Sequence, residues 1–276
     1  MPELPEVECL TRAVRQVLEG GRLESATFFR KDLRSPIPIE QFRQLLAGQR
    51  IDRVYRRSKY MLIESCKGTG VFHLGMSGQI LEKGSPKPEV PHTHAVFKVH
   101  GRDGVTYLHF VDPRRFGRID CFAGHDLAAH ASFTHLGPEP LESLDLGDHL
   151  FRQSRNRATP VKQFIMDAQH VVGVGNIYAS ESLFRAGIHP QTKAGAVTRR
   201  RYGQLGLQIK ATLAAAINSG GTTLRDFRTP DGHPGYFAVS LNVYDRTGEP
   251  CLKCGAEIRQ IKQGGRSSFF CAICQT

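Results

Sequence analysis

The residues at the start of the chain are of the types that covalent catalysis needs. In Met1-Pro2-Glu3-Leu4-Pro5-Glu6-Val7, removal of Met1, which a small second residue permits, leaves Pro2 with a secondary-amine nitrogen at the chain terminus. Such a nitrogen attacks an aldehyde-like carbon and gives an iminium, as lysine amines give Schiff bases. Glu3 stands beside it for proton transfer. Glu6 falls in the first turn of the helix that follows, where a negative charge suits the helix dipole. The same residues are those an ordinary helix start prefers, so this stretch alone leaves the catalytic and structural readings both open.

A second chemical signature closes the chain. Cys251 and Cys254 form one C-x2-C pair and Cys271 and Cys274 another, with sixteen residues between them. Four thiolates complete a tetrahedral Zn2+ site with no position left for water or substrate, so one structural zinc ion is expected. Structural zinc contributes about 10–16 kcal/mol, enough to fold a segment with few core residues of its own. Arg266, between the pairs, is then a candidate DNA contact. Cys9, Cys66 and Cys121 are scattered and are expected as small buried apolar residues.

Three further pieces lie near the front: Lys59 after Arg56-Arg57-Ser58, the turn His73-Leu74-Gly75-Met76-Ser77-Gly78, and Asp112-Pro113-Arg114-Arg115-Phe116-Gly117. Met76 and Phe116 sit in glycine-containing turns beside arginines, which suits wedges entering a base stack; a small core under the loops is the alternative. His73, His92 and His94 have no ligand spacing and are read as polar or phosphate contacts. Gly173-Val174-Gly175-Asn176 precedes a helix beginning near Ile177, placing glycines and a polar cap at helix-start amides. That is a phosphate cradle or simply a capped helix, with Lys162 as a basic side chain nearby.

The elements that must position these groups follow from the apolar pattern. Leu4, Val7, Leu10, Val14, Val17 and Leu18 recur at helical spacing until Gly20-Gly21. From Leu23 to about Phe122 come short strand-like runs: 51–55, 60–63, 71–74, 95–99 and 105–111, the last two joined by a Gly101-Arg102-Asp103-Gly104 hairpin turn. After the breakers Gly137-Pro138-Glu139-Pro140 the pattern is helical, over 146–157, 160–168, 177–186 and 199–218. The stretch 222–240 is too rich in breakers for regular structure. The fold class is therefore α+β, divided as 1–134, a hinge at 135–143, a helical region at 144–240 and a cysteine-bearing end at 241–276.

Lys and Arg outnumber Asp and Glu by 37 to 26 over 276 residues, and a formal charge of +11 makes a polyanion the first partner to consider, nucleic acid before membrane. No run of eighteen apolar residues is present, and the first residues lack a secretory signal pattern, so a cytoplasmic location is expected.

Taken together, PELPEVE, RRSKY at 56–60, HLGMSG, DPRRFG, THLGPEPL at 134–141, VVGVGNIYASESLF at 171–184, GGTTLRDF at 220–227, DGHPGYF at 231–237 and the four cysteines resemble the formamidopyrimidine-DNA glycosylase family over nearly the whole chain. That resemblance implies an N-terminal β-sandwich carrying the first helix, a helix-two-turn-helix domain and a C-terminal β-hairpin zinc finger. It implies base excision repair: removal of oxidised purines such as 8-oxoguanine and formamidopyrimidines from double-stranded DNA, then strand cleavage at the abasic site by β,δ-elimination. By the same resemblance Pro2 is the nucleophile, Glu3 the general acid/base, Glu6 its support, and Lys59 lies by the damaged base and its phosphate. His73, His92, Lys162, Asn176 and Arg266 are implied DNA contacts, and Met76, Arg114 and Phe116 fill the gap left by the flipped nucleotide. Thr222, Thr223, His233 and Tyr236 belong to the implied lesion loop, where His233 replaces the family's frequent lysine. A monomer in the bacterial cytoplasm, associated with the nucleoid, is expected.

The nearest rival is an endonuclease VIII-like enzyme for oxidised pyrimidines, against which Leu4 in PELPE and the long 222–240 loop weigh. A non-catalytic zinc-finger DNA-binding protein explains the charge and cysteines but not Pro2. A small-molecule tautomerase with an N-terminal proline base leaves the cysteines unexplained.

Overall fold

The computed structural model describes residues 2–221 and 241–276. The chain forms two compact units, one of residues 1–134 with 219–236 and one of residues 135–218 with 237–276.

The first unit begins with helix α1 (Leu4–Leu18), which buries Leu4, Val7, Leu10, Val14 and Leu18 on one face. Eight antiparallel strands follow: β1 (Arg22–Phe28), β2 (Gln49–Arg57), β3 (Tyr60–Ser65), β4 (Gly68–His73), β5 (Gln79–Lys83), β6 (Thr93–Gly101), β7 (Gly104–Val111) and β8 (Arg118–Ala123). Their order is β5-β7-β6-β1-β2-β3-β4-β8. The junction of β1 and β2 consists only of Arg22↔Arg50 and Leu23↔Gln49, whereas β1 pairs with β6 from Arg22↔His100 to Phe28↔Ala95. The sheet therefore folds at that short seam. Phe72 on β4 and Phe97 on β6 have ring centroids 5.5 Å apart. On a flat sheet strands four places apart are separated by roughly 19 Å, so the two leaves face each other as the expected sandwich.

The β6–β7 hairpin turns at Gly101↔Gly104, as its sequence signals. Helix α2 (Ile39–Leu46) has no counterpart in the sequence reading, nor have β1, β5 and β8 as separate strands. Its eight residues are hidden in a strand-like region, yet Ile39, Phe42 and Leu46 keep helical spacing. Phe42 is fully buried, 6.0 Å from the Phe72 ring and 5.7 Å from Phe97, so α2 plugs the sandwich.

The second unit contains α3 (Leu146–Ser154), α4 (Val161–Met166), α5 (Asn176–Arg185) and α6 (Arg199–Asn218), followed by a hairpin of β9 (Ile258–Gln263) and β10 (Arg266–Cys271). Gly206 inside α6 would be destabilising without a reason. A Cβ there would lie 2.7 Å from the Gly147 nitrogen, so the glycine lets α3 cross α6 backbone to backbone. The β9–β10 turn is Gly264-Gly265, with φ +53° and +75°, the left-handed pair that a two-residue hairpin needs. Phe184, Val243, Ile258 and Phe269 form a small core beneath Cys251 and Cys271.

Candidate active site and DNA-contact residues

Pro2 and Glu3 immediately precede α1, and Pro2, Glu3 and Glu6 are all buried. Glu3 and Glu6 form a reciprocal capping box: the Glu6 N–H donates to the Glu3 carboxylate, and the Glu3 N–H donates to Glu6 Oε2 at 2.8 Å. Glu6 thus fixes the backbone that carries Glu3. Burial and then the Glu6 charge push the nearby Cys9 thiol up to about 11.

Lys59 occupies the two-residue β2–β3 turn closed by the Arg57↔Tyr60 pair, with Ser58 at φ +57°. Arg56 holds this turn by donating from Nη1 to the Ser58 carbonyl at 2.9 Å and from Nε to Glu8 Oε2 on α1 at 3.0 Å. That link ties the Lys59 turn to α1, the helix that follows Pro2 and Glu3. On the neighbouring strand, His73 packs its ring 4.9 Å from Tyr60 and accepts the Gly75 N–H at Nδ1, 3.0 Å away. Burial, then Lys59, Arg34 and Arg118, depress its pKa to about 4. Near neutral pH the ring is uncharged with its proton on Nε2, a hydrogen-bond donor rather than a cation.

Met76 and Phe116 are exposed to 36% and 42%, so neither is covered as a small core under the loops would require. The Arg114 guanidinium lies 5.1 Å from the centre of the Phe116 ring. His92 is exposed with φ +65°, and its carbonyl accepts the Asp112 N–H; His94 is buried and bonds the Asp112 carbonyl through Nε2 at 2.8 Å. His94 is therefore a structural strut.

In the second unit Asn176 is the first helical residue of α5 and the cap is Gly175, one position earlier than the sequence suggests. The side chain of Asn176 is not spent on capping. Its Oδ1 accepts from Lys162 Nζ at 2.7 Å. Lys162, expected as a phosphate contact, is only 2% exposed. Its ammonium also donates to the Ser267 carbonyl at 3.0 Å and to Ser268 Oγ at 2.8 Å. Those three acceptors match the three donors of a lysine, so Lys162 joins α4, α5 and β10 instead of reaching solvent. Arg266 is exposed at the start of β10, beside the residues that Lys162 holds.

The sulfurs of Cys251, Cys254, Cys271 and Cys274 all lie within 4.8 Å of one another, with Cys251–Cys274 at 3.9 Å and Cys254–Cys271 at 3.5 Å. A tetrahedron with Zn–S bonds of about 2.3 Å has edges of roughly 3.8 Å, so the donor set and its spacing fit zinc. Of the other cysteines, expected to be buried, one is and two depart from that expectation. Cys121 is buried, Cys9 half-buried and Cys66 exposed in the β3–β4 turn.

Residues 1–119 match the family model described as the formamidopyrimidine-DNA glycosylase N-terminal domain, residues 136–228 its H2TH domain, and residues 248–276 the zinc finger found in FPG and IleRS. A formamidopyrimidine-DNA glycosylase of Pseudomonas putida is 48% identical over 275 residues, with 100% of both chains covered. One of Stenotrophomonas maltophilia is 46% identical with the same coverage. The chain belongs to the formamidopyrimidine-DNA glycosylase family. Among solved structures it is similar to the MutM (FPG) protein of Thermus thermophilus, at 36% identity and TM-score 0.87, covering 99% of this chain and 98% of that one. It is also similar to a Lactococcus lactis FPG mutant bound to Fapy-dG containing DNA, at 29% identity and TM-score 0.89, with 99% of each chain covered.

As a member of this family the chain carries its zinc in the four-cysteine finger. Thr222, Thr223, His233 and Tyr236 lie outside the described residues. Reasoning from sequence missed several groups that hold the site: Glu8 with Arg56, Asp112 with Ser77, and Glu181. The Glu181 carboxylate, fully buried on α5, accepts the backbone N–H groups of Asn242, Val243 and Tyr244 at 2.9–3.0 Å and the Asn242 side-chain amide at 2.8 Å. An acid between two serines on a helix with no other charge until Arg185 was the available signal.

Proposed function

We propose that this chain is a bifunctional DNA glycosylase and abasic-site lyase that excises oxidised purines from duplex DNA through an N-terminal proline. Family membership supports the activity class, and solved relatives are described with Fapy-dG, 8-oxo-G and abasic-site DNA. The observation that carries the mechanism is the buried Pro2-Glu3 start of α1, with Glu3 fixed by the Glu6 capping box.

Extruding the damaged nucleotide costs a few kcal/mol, least at a damaged pair, and Met76, Arg114 and Phe116 offset this by filling the vacated stack. Once Met1 is removed, the Pro2 nitrogen attacks C1′ and the bond to the base breaks, with the electron pair and a proton leaving on the base. Glu3 moves the protons, first to open the sugar ring. The resulting iminium acidifies the C2′ hydrogen. Its removal expels the 3′ phosphate, and a second elimination expels the 5′ phosphate. The Glu6 charge, whose influence is seen at Cys9, stabilises the iminium. Lys59 contacts the damaged nucleotide or its phosphate, neutral His73 donates from Nε2, and His92, Asn176 and Arg266 contact the DNA backbone. The zinc ion, held by the four cysteines, shapes the hairpin bearing Arg266. The protein acts on chromosomal DNA in the bacterial cytoplasm at the nucleoid. Among the described residues no helix is long and apolar enough to cross a membrane.

Borohydride trapping on a duplex with 8-oxoguanine tests this reading. Reduction should leave DNA attached to the first peptide through Pro2, and Met1 retention should abolish trapping without unfolding. A cross-link on Lys59 with Pro2 unmodified overturns the mechanism.

A further inference from the structure

The two loops that end in Met76 and Phe116 are distant in sequence, yet they are built around one carboxylate. Asp112 has no solvent exposure. Its Oδ1 accepts the Ser77 hydroxyl at 2.6 Å, and its Oδ2 accepts the Gly117 N–H at 2.7 Å. Ser77 Oγ in turn accepts the Arg114 N–H at 3.1 Å. One side chain thereby binds the residue after Met76, the residue after Phe116 and, through Ser77, the backbone of Arg114. The backbone of Asp112 is anchored on the other side: its N–H donates to the His92 carbonyl, and its carbonyl bonds His94 Nε2 at 2.8 Å.

The packing of the loops is as restrictive as the hydrogen bonds. Gly75 has φ +61°, and a Cβ there would lie 2.3 Å from the Phe116 carbonyl carbon, so the loop tips touch backbone to backbone. Arg115 is held at φ +56°, the left-handed region that L side chains seldom occupy, by a turn in which its N–H donates to the Asp112 carbonyl. The two exposed apolar tips are thus fixed relative to one another before any DNA arrives.

We infer that Asp112 is a positioning residue for nucleotide extrusion: with Ser77 it clamps the Met76 and Phe116 loops into a single preformed wedge. The proposal rests on the reading of Met76 and Phe116 as residues that enter the base stack. Its physical content is preorganisation. A wedge that must order two loops on entering the stack loses part of its contact energy to that ordering, whereas a clamped one does not. The Asp112 carboxylate is fully buried, with both oxygens engaged by protein donors, so it acts where a paired, stacked nucleotide has to be extruded and not where the nucleotide is already free.

The experiment compares one set of variants on two substrates. Asp112→Ala and Ser77→Ala should each lower single-turnover excision of 8-oxoguanine from duplex DNA by about tenfold or more, the factor set by losing one buried hydrogen-bonded group. Asp112→Asn keeps one acceptor oxygen for Gly117 and should recover part of that loss. All three should cleave a single-stranded oligonucleotide carrying a preformed abasic site at the wild-type rate, because no stacked pair has to be opened. Fluorescence of 2-aminopurine placed next to the lesion should rise more slowly in the same variants. Equal losses on both substrates mean general damage to the fold and overturn the clamp. Wild-type duplex rates for Ser77→Ala and Asp112→Asn, beside slow Phe116→Ala and Met76→Ala, also overturn it and leave the wedge reading standing. Wild-type rates for Phe116→Ala and Met76→Ala remove the wedge reading itself, and the clamp with it.

Discussion

At the start of α1 two carboxylates hold a single turn of backbone, each accepting one N–H of the other's residue. In the helical unit a carboxylate and an ammonium are instead saturated by several partners from distant elements: Glu181 by three consecutive backbone amides and an Asn242 side chain, Lys162 by Asn176, Ser267 and Ser268. The first arrangement is local, cheap to form and keeps the Glu3 carboxylate next to a chain end. The second uses buried charges as cross-links, which orders loops that have little apolar core. The difference teaches that the start of α1 is held by secondary-structure rules, whereas the zinc-bearing region depends on tertiary hydrogen bonds that need every partner present.

Breaking one member of each arrangement should therefore give unequal losses. Glu181→Leu strands three backbone donors in a buried place and is expected to cost about 4 kcal/mol of the second unit's stability. Hydrogen exchange at Asn242, Val243 and Tyr244 in the zinc-loaded protein should accelerate accordingly. Glu6→Gln still offers an oxygen to the Glu3 N–H, and a capping box accepts glutamine, so its cost should stay at or below about 1 kcal/mol. Chemical denaturation of the two variants checks the contrast, and equal losses would contradict it.

A smaller effect is expected from pH in the first unit. The folded pKa of His73, near 4, lies below the ordinary 6.5, so folding disfavours the protonated ring. Its neutral form contributes fully above about pH 6.5. As pH falls from there toward 4 the unfolded chain takes up a proton that the folded one refuses, and stability declines by up to ~3 kcal/mol. Below about pH 4 this decline ends. His73→Gln should flatten that part of the stability profile of the first unit. Above pH 7, where the native ring carries no charge, the stability profiles of variant and wild type should run parallel.

Much of the molecule was readable in the amino-acid order. The α1 stripe, the hairpin at Gly101–Gly104, α6 and the zinc ligands follow from periodicity, turn residues and thiol spacing, signals carried by neighbours in the chain. What escaped is non-local. Helix α2 is short and earns its place only by putting Phe42 between two leaves that meet in space. Asp112 stood in a motif noticed for Arg114 and Phe116, but its partner Ser77 lies 35 residues away. Lys162 shows the same limit in reverse: a lysine near a helix start suggests a phosphate contact, and only the fold reveals that Asn176, Ser267 and Ser268 enclose it.

The role of Lys162 yields the finest test of the proposed grip on DNA, because the three residues expected there as phosphate contacts should differ in kind. A cation that touches a phosphate releases counterions, so removing it lowers the slope of log K against log salt by about 0.9, whereas a neutral donor contributes affinity without that slope. Arg266→Ala should therefore weaken binding of an abasic-site duplex and reduce the slope by about one. Asn176→Ala should weaken binding at every salt concentration and leave the slope unchanged. Lys162→Met removes a full charge, yet the buried ammonium meets Asn176 Oδ1 and β10 instead of solvent, so its effect should follow Asn176: lower affinity with an unaltered slope. Equilibrium titrations between about 50 and 200 mM salt resolve the difference. If Lys162→Met flattened the slope as Arg266→Ala does, its ammonium would have to reach the phosphate in the complex. The closed geometry around it would then be a resting arrangement that DNA opens.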